Sequence, residues 1–285
     1  MSRNTNGQNV EGDRSNRTDG SDVTRVLLVG AGGAMGRTVI QIANLVDGLE
    51  IVAGVDRCGS DNDSSEVLVE GVRVFGTFDG FATWNKNVDV VLDFSHFSAC
   101  EEVVNFAESI KANLVVAVTG HTCKQLEMLC QRAKSKADGL AILKAANFSL
   151  SMNRFMKTVA EFSRCWDGDI EIVETHHNNK VDAPSGTALV IAERIIKERG
   201  FGKIVIGRGY GKRMPGDIGI SAVRGGVVVG EHEVRFFSDT CEISMKESEY
   251  GKGSFVKGAI EACKFMKGKT SGYYGIDDLL KYICK

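Results

Sequence analysis

Two patterns of hydrophobic positions, one typical of strands and one typical of helices, alternate along most of the chain. Short β-branched runs, of which RVLLVG is the first, are followed by stretches with an amphipathic helical period. The same alternation is found in EIVAGVD, in VDVVLDF before a helical stretch at 100–110, in NLVVAVTG before one at 123–137, and in GLAILKAANF. Apolar strands separated by helices are typical of a parallel sheet covered on both faces. The pattern therefore predicts an α/β domain over residues 23–147.

After Asn147 the pattern predicts a helix, a strand (DIEIVETHH), a second helix from about Gly186, and then strands separated by turns. The first helix is expected at about 150–165, the later strands between Ile218 and Met245, and the turns at Gly225-Gly226 and Ser238-Asp239. We expect a second α+β domain over 148–253, built on a mixed or antiparallel sheet. Two terminal helices, 254–266 and 276–282, are expected to return to the first domain.

The first 22 residues contain one valine and no other aliphatic or aromatic residue apart from the initiator methionine. Such a segment cannot bury apolar surface, so residues 1–22 are expected to be a disordered tail. A secretory signal would need an apolar core, and a transit peptide would avoid acids, whereas this tail carries Glu11, Asp13, Asp19 and Asp22. We therefore expect a cytoplasmic protein.

Composition narrows the classes of partner. The hydrophobic content of 43% supports a sizeable core, and a net charge of -2 from interleaved charges leaves no basic face for nucleic acid. Apolar runs such as Val26–Val29 are far shorter than the roughly 20 residues that cross a bilayer, so no membrane span is expected. The eight cysteines form no close pairs, so reduced thiols and no metal site are expected.

A glycine-rich loop, GAGGAMGR, follows the first predicted strand. Its glycines, Gly30, Gly32, Gly33 and Gly36, allow a tight turn and let backbone N–H groups approach a pyrophosphate at a helix N-terminus. A tight strand-to-helix turn alone would also use glycine, but the position within a βαβ unit favours dinucleotide binding. The first domain is therefore predicted to be of the Rossmann type.

Asp56 ends the second predicted strand, where a carboxylate can accept hydrogen bonds from the adenosine ribose hydroxyls. Arg57 follows and can pair with a 2′-phosphate that Asp56 would repel. A helix cap and an ordinary surface charge are the alternative interpretations of these two residues. The glycine-rich loop and Asp56 predict a nicotinamide or flavin dinucleotide. Asp56 and Arg57 together predict tolerance of both NADH and NADPH, with NADH favoured.

The segment ETHHNNKVDAPSGTAL, 174–189, combines groups suited to proton transfer and to carboxylate binding. His176 is a suitable proton donor, and Lys180, four residues beyond, can lie on the same side of the chain and fix an anionic group. Ser185 can cap the following helix, while Gly186 and Thr187 offer N–H groups and a hydroxyl to a carboxylate. The remaining histidines, at 96, 121 and 232, lack such neighbours. His96 and His121 could line the cofactor cleft, but each is interpreted as a bystander.

These residues resemble the 4-hydroxy-tetrahydrodipicolinate reductases, the dihydrodipicolinate reductases of the diaminopimelate and lysine pathway. The resemblance runs from Thr24 to the C-terminus. HHNNKVDAPSGTA is its most specific part, supported by GAGGAMGR, DFS, AVTG, AANFS, VRGG, VGEH and FVKGA.

The resemblance implies NAD(P)H-dependent reduction of a cyclic dicarboxylate, with His176 as proton donor, Lys180 as its partner, and His177, Ser185, Gly186 and Thr187 at the substrate. It also implies a homotetramer formed through the sheet of the second domain, and cofactor contacts from the following residues: Gly30, Gly32, Gly33, Ala34, Met35, Asp56, Arg57, Ala117, Val118, Thr119, Ala145, Ala146, Asn147 and Phe148.

Three departures from the family pattern bear on cofactor preference rather than on the reaction. AVTG at 117–120 stands where the family often has GTTG, so the nicotinamide contact there is expected to use backbone. Ser151 replaces an expected glycine, and Gly251-Lys252 stands where Ser-Arg is common. Two rival functions remain open: a dehydrogenase of the same type acting on an amino acid or sugar, and a non-catalytic nicotinamide-binding protein.

Overall fold

The computed structural model describes residues 23–57, 66–84, 86–134 and 140–284. The strands are β1 Thr24–Val29, β2 Leu49–Val55, β3 Glu66–Val69, β4 Val72–Phe75, β5 Val90–Asp93, β6 Asn113–Val116, β7 Ala141–Lys144, β8 Asp169–His176, β9 Lys203–Ile206, β10 Asp217–Arg224, β11 Gly230–Phe237, β12 Glu242–Glu249 and β13 Gly272–Tyr274. The helices are α1 Ala34–Ala43, α2 Phe78–Ala82, α3 Cys100–Ser109, α4 Cys123–Lys134, α5 Leu150–Ser163, α6 Gly186–Arg199, α7 Gly253–Met266 and α8 Ile276–Ile283.

The first sheet has the strand order β13-β7-β6-β5-β1-β2-β4-β3 within the described residues. Its strands pair in parallel, apart from the antiparallel pair of β3 and β4 at one edge. Because successive side chains of a strand point to opposite faces, β1 contributes to two separate cores. Val26 and Leu28 pack with α1 and α7, whereas Leu27 and Val29 pack with α2, α3 and α4. The predicted parallel sheet with both faces covered is confirmed.

The second sheet has the order β12-β11-β8-β10-β9. β8 runs parallel to β10 and antiparallel to β11, so the sheet is mixed, which confirms the predicted class of the second domain. Helices α5 and α6 cover one face, where Ile170 and Ile172 of β8 pack with Ile191 and Ile195 of α6. Asp169 and Glu171 of β8 alternate with these buried residues and face the other side of the sheet.

Only one of the two predicted turns closes a hairpin. The chain at Ser238-Asp239 connects β11 to its antiparallel neighbour β12, as expected. β10 and β11 are not neighbours, because β8 lies between them, so the turn at Gly225-Gly226 carries the chain past the end of β8. The two glycines indicated a change of direction but not the pairing of the strands that they join.

The C-terminal segment packs on the first sheet. Val256 and Ile260 of α7 enter the same core as α1, and β13 extends the sheet beside β7. Gly258 allows the closest approach, since a Cβ there would lie 1.7 Å from the carbonyl oxygen of Phe148. The chain that joins the two sheets after β7 therefore passes directly against α7.

Several elements were not predicted from the sequence, namely β3, β4, α2, β9 and β13. Residues 1–22, expected to be a disordered tail, and 135–137, expected to end a helix, lie outside the described residues. Of the helices that the structure describes, none is long and apolar enough to cross a membrane.

Candidate active site

The glycine-rich loop between β1 and α1 is held by close backbone contacts. Gly30 has a φ of 83°, which favours glycine, and a Cβ there would lie 2.7 Å from the carbonyl oxygen of Phe94. A Cβ on Gly36 would lie 2.2 Å from the carbonyl oxygen of Gly30. Both glycines are therefore required by the turn itself, before any ligand is considered.

The N-terminus of α1 has the character of an anion site. Gly33 is its N-cap and offers no side chain to the first turn, so the N–H groups of Ala34 and Met35 lack a capping partner. Gly33 and Ala34 are exposed. Free N–H groups at the positive end of a helix fit the pyrophosphate of a dinucleotide.

Asp56 follows β2 and is joined to the loop. Its Oδ2 accepts a hydrogen bond from the backbone N–H of Gly32 at 2.6 Å, and a Cβ on Gly32 would meet the same oxygen at 2.9 Å. The second carboxylate oxygen is left for ribose hydroxyls. Arg57, next in the chain, is exposed. The residues present thus fit the adenosine half of a nicotinamide dinucleotide.

Two further loops leave the same edge of the first sheet, after the neighbouring strands β6 and β7. They carry the other predicted cofactor residues, 117–119 and 145–148. In each loop a buried side chain, Val118 or Phe148, alternates with an exposed residue, Thr119 or Ala146. Since parallel strands end at one edge, the structure brings both loops to the side that carries the glycine-rich loop.

His176 ends β8 and is held by a buried carboxylate that the sequence analysis did not single out. Glu174 is fully buried, and its Oε2 accepts a hydrogen bond from His176 Nδ1 at 2.6 Å. Arg224 donates to both oxygens of Glu174, at 2.8 and 2.9 Å. Burial alone would raise the pKa of Glu174, but the hydrogen bonds from Arg224, His176 and Ser185 hold that pKa below its ordinary value.

The other ring nitrogen of His176 is oriented away from Glu174. Nε2 has no hydrogen-bond partner among the described residues and lies where a Cβ on Gly230 would be 3.0 Å away. Because Glu174 keeps a proton on Nδ1, any proton exchanged with a ligand must be carried on Nε2. Glycine at 230 leaves space beside that atom.

His232, for which the sequence indicated no neighbours of functional interest, lies beside His176 in the structure. It is 3% exposed, its ring lies 5.3 Å from that of His176, and its Nε2 hydrogen-bonds to Ser185 Oγ at 3.1 Å. No local pattern predicts this contact, because His232 comes next to Glu174 only through the pairing of β11 with β8. Burial, then the neighbouring His176, lowers the pKa of His232 to about 4.

The N-terminus of α6 is capped as the sequence predicts. Ser185 is buried, and its Oγ accepts from the N–H of Ala188 at 3.1 Å, while its own N–H donates to Glu174 at 3.0 Å. Gly186 is exposed and Thr187 half-buried, which leaves the first turn open to a ligand. The helix end and His176 are thus connected through one carboxylate.

Lys180 lies in a turn after β8 rather than on a continued strand or helix. Its Nζ donates to Asp182 Oδ1 at 2.7 Å, and this hydrogen bond lowers the pKa of Asp182. Within the described residues no hydrogen bond joins Lys180 to His176, which pairs with Glu174 instead. His177, between them, is half-buried. Among these same residues no group of His, Cys, Asp and Glu has the arrangement of a metal site.

Comparison with known proteins gives consistent results for both halves of the chain. The family model for the N-terminus of dihydrodipicolinate reductase matches residues 24–148, and the model for its C-terminus matches 150–280. The 4-hydroxy-tetrahydrodipicolinate reductase of Clostridium tetani is 36% identical over 90% of this chain and 97% of its own. The corresponding protein of Clostridium novyi is 36% identical over 91% of this chain and 99% of its own.

A solved structure shares the fold. The dipicolinate-bound dihydrodipicolinate reductase from Paenisporosarcina sp. TG-14 superposes with a TM-score of 0.75, at 23% identity, over 90% of this chain and 99% of that one. Two family models that together span both sheets, and relatives above one-third identity along nearly their full length, leave one assignment. The chain belongs to the dihydrodipicolinate reductase family.

Proposed function

We propose that the chain reduces 4-hydroxy-tetrahydrodipicolinate to tetrahydrodipicolinate, with loss of water, at the expense of NADH or NADPH in the diaminopimelate and lysine pathway. The single observation that carries this proposal is the hydrogen bond from His176 to the buried Glu174 beside the open N-terminus of α6. That arrangement offers a proton donor and a carboxylate site within one unit. Membership of the reductase family supplies the substrate.

In the proposed mechanism His176 donates the proton from Nε2. Glu174 stabilises the imidazolium before transfer and holds the Nδ1–H tautomer afterwards, so the ring does not rotate during the step. When bound, the reduced nicotinamide supplies the hydride. Gly32, Gly33, Ala34 and Met35 would hold its pyrophosphate with Gly30 shaping the turn, Asp56 and Arg57 its adenosine ribose, and residues 117–119 and 145–148 its nicotinamide half.

The substrate is a dianion, and the chain offers two positive regions for its carboxylates. The first is the N-terminus of α6, where Gly186 and Thr187 present N–H groups and Ser185 fixes the helix start. The second is Lys180, whose ammonium group would exchange Asp182 for a substrate carboxylate, with His177 beside it. Holding both carboxylates places the reacting carbon relative to His176.

Steady-state oxidation of NADH and NADPH with enzymatically generated 4-hydroxy-tetrahydrodipicolinate tests the reaction and ranks the two cofactors. We expect His176→Gln and Lys180→Ala to lower kcat by about 100-fold or more, with cofactor affinity nearly unchanged. Lys157→Ala is the matched lysine control, because Lys157 is exposed on α5 and, within the part of the chain that the structure describes, pairs with Glu161 at 3.9 Å. Unaltered turnover in both site variants would refute the proposed roles.

The same assay separates the rival functions. A panel of amino acids and sugars with NAD would reveal a dehydrogenase of the same fold acting on another substrate. Tight NADH binding without oxidation in the presence of the cyclic substrate would indicate a non-catalytic binding protein. The homotetramer stays a prediction, and the mass measured by sedimentation equilibrium checks it.

A further inference from the structure

Lys144 is a half-buried lysine at the end of β7 that the proposed mechanism leaves unused. Its Nζ donates two hydrogen bonds to backbone carbonyls, to Val118 at 2.8 Å and to Ala145 at 3.1 Å. Val118 belongs to the loop after β6, and Ala145 to the loop after β7. One ammonium group therefore joins the two loops that are proposed to hold the nicotinamide half of the cofactor.

A buried carboxylate supports this charge. Asp93, at the end of β5, is 1% exposed and is paired in register with Val116, which is itself paired with Lys144. The two charged residues are thus two strands apart, with Cα atoms about 10 Å from each other. Burial lowers the pKa of Lys144, and the charge of Asp93 opposes that shift.

The orientation of the two carbonyls fixes the N–H groups that follow them. In a trans peptide the C=O and the next N–H point in opposite directions, and both of these peptide bonds are trans. Since the carbonyls of Val118 and Ala145 turn inward to Lys144, the N–H groups of Thr119 and Ala146 turn outward. Both residues are exposed, and neither N–H has a partner in the described part of the chain.

We propose that Lys144 is a positioning residue that turns the N–H groups of Thr119 and Ala146 toward the carboxamide of the bound nicotinamide. A carboxamide oxygen accepts such hydrogen bonds. This inference rests on the proposed function, because that function assigns the two loops to the cofactor. Lys144 itself touches neither substrate nor cofactor and acts through the two peptide units.

The test compares NADH with ADP-ribose, which lacks the nicotinamide. Isothermal titration of Lys144→Met should show NADH binding about tenfold weaker and ADP-ribose binding unchanged within about twofold, because only the nicotinamide contacts are disturbed. If the chain prefers NADPH, the matched pair is NADPH and 2′-phospho-ADP-ribose. Lys134→Met, an exposed lysine on α4, is the control and should leave both affinities at their original values.

If the binding of both ligands is weakened equally, Lys144 only stabilises the sheet. If the binding of neither is weakened, the two loops keep their conformation without Lys144. Each result overturns the proposal. If Lys144→Met does not fold, Lys144→Gln is measured in the same way, since it keeps the side-chain polarity but not the reach and charge. The binding test needs no substrate, so it can fail or succeed separately from the proposed reaction.

Discussion

The burial of His232 should make the second domain sensitive to mild acid. This histidine is 3% exposed and packs between Ser185 and His176, with Glu174 and Lys180 as the other charged groups near it. Burial, then His176, lowers its pKa from the ordinary 6.5 to about 4. The unfolded chain therefore binds a proton at a higher pH than the folded chain does. Stability from neutral His232 is complete above pH 6.5 and is lost as the pH falls toward 4.

The pKa values of His232 in the unfolded and folded chain, 6.5 and about 4, set the size of the loss in stability. At pH 5 the unfolded histidine is almost fully protonated and the folded one mostly neutral, so the free energy of unfolding falls by about 2 kcal/mol between pH 7 and pH 5. Glu174 does not contribute in this window, since its pKa lies below its ordinary value and its own loss comes at lower pH. His232→Gln removes the titrating ring but keeps an amide near Ser185. In this variant the fall in the free energy of unfolding between pH 7 and pH 5 should be smaller by about 2 kcal/mol.

The assay is urea unfolding at pH 7 and pH 5, followed by the fluorescence of Trp166, which packs on Phe236 in the second domain. All variants carry Trp84→Phe, so that the other tryptophan, in the first domain, does not contribute. His177→Gln, one residue beyond the end of β8 and half-buried, is the matched histidine control. An equal loss of stability between pH 7 and pH 5 in His232→Gln and in the parent would show that His232 does not cause the acid sensitivity, whatever the variant's stability at pH 7.

Three further substitutions have expected effects that can be measured directly. Asp56→Ser removes the carboxylate that a 2′-phosphate would meet, so kcat/KM for NADPH relative to NADH should rise on the order of tenfold; an unchanged ratio would contradict its role. Gly258→Ala places a Cβ 1.7 Å from the Phe148 carbonyl oxygen and should cost about 3 kcal/mol of stability, seen as a lower Tm, whereas Gly253→Ala, 3.7 Å from its nearest contact, should not. Asp182→Asn frees its lysine partner for the substrate and should lower the KM of the dicarboxylate about two- to fivefold; a higher KM would show that the carboxylate itself orients the substrate.

The cofactor region was largely predictable because its parts are close in sequence. The glycine-rich loop follows β1 directly, and Asp56 ends the next strand, so hydrophobic periodicity alone placed both at one edge of the sheet. The hairpin of β3 and β4 was missed although its signal was present. Glu70 and Gly71 form a two-residue turn between alternating apolar positions, with φ values of 50° and 82°. β13 has three residues and pairs with a strand far away in sequence, so no local pattern predicts it.

The region around His176, the proposed proton donor, was predicted only in part, for a physical reason. His176 was found because a histidine beside a lysine and a helix start has obvious chemistry. The alternation in DIEIVETH also places Glu174 on the buried face with Ile170 and Ile172, and a carboxylate at a core position is a usable signal. Its partners could not be predicted from the sequence, since Arg224 and His232 approach Glu174 only through the pairing of β10 and β11 with β8.

The long-range partners of Glu174 show that the two halves of the candidate site form one hydrogen-bonded unit. From the sequence, the first half of 174–189 was predicted to transfer the proton and the second half to bind the substrate carboxylate. In the structure one oxygen of Glu174 holds His176 while the other accepts the N–H of Ser185, which starts the helix α6. Arg224 bonds to both oxygens and fixes the plane of the carboxylate. One buried carboxylate therefore orients both the proposed proton donor and the helix end that is proposed to bind the substrate carboxylate.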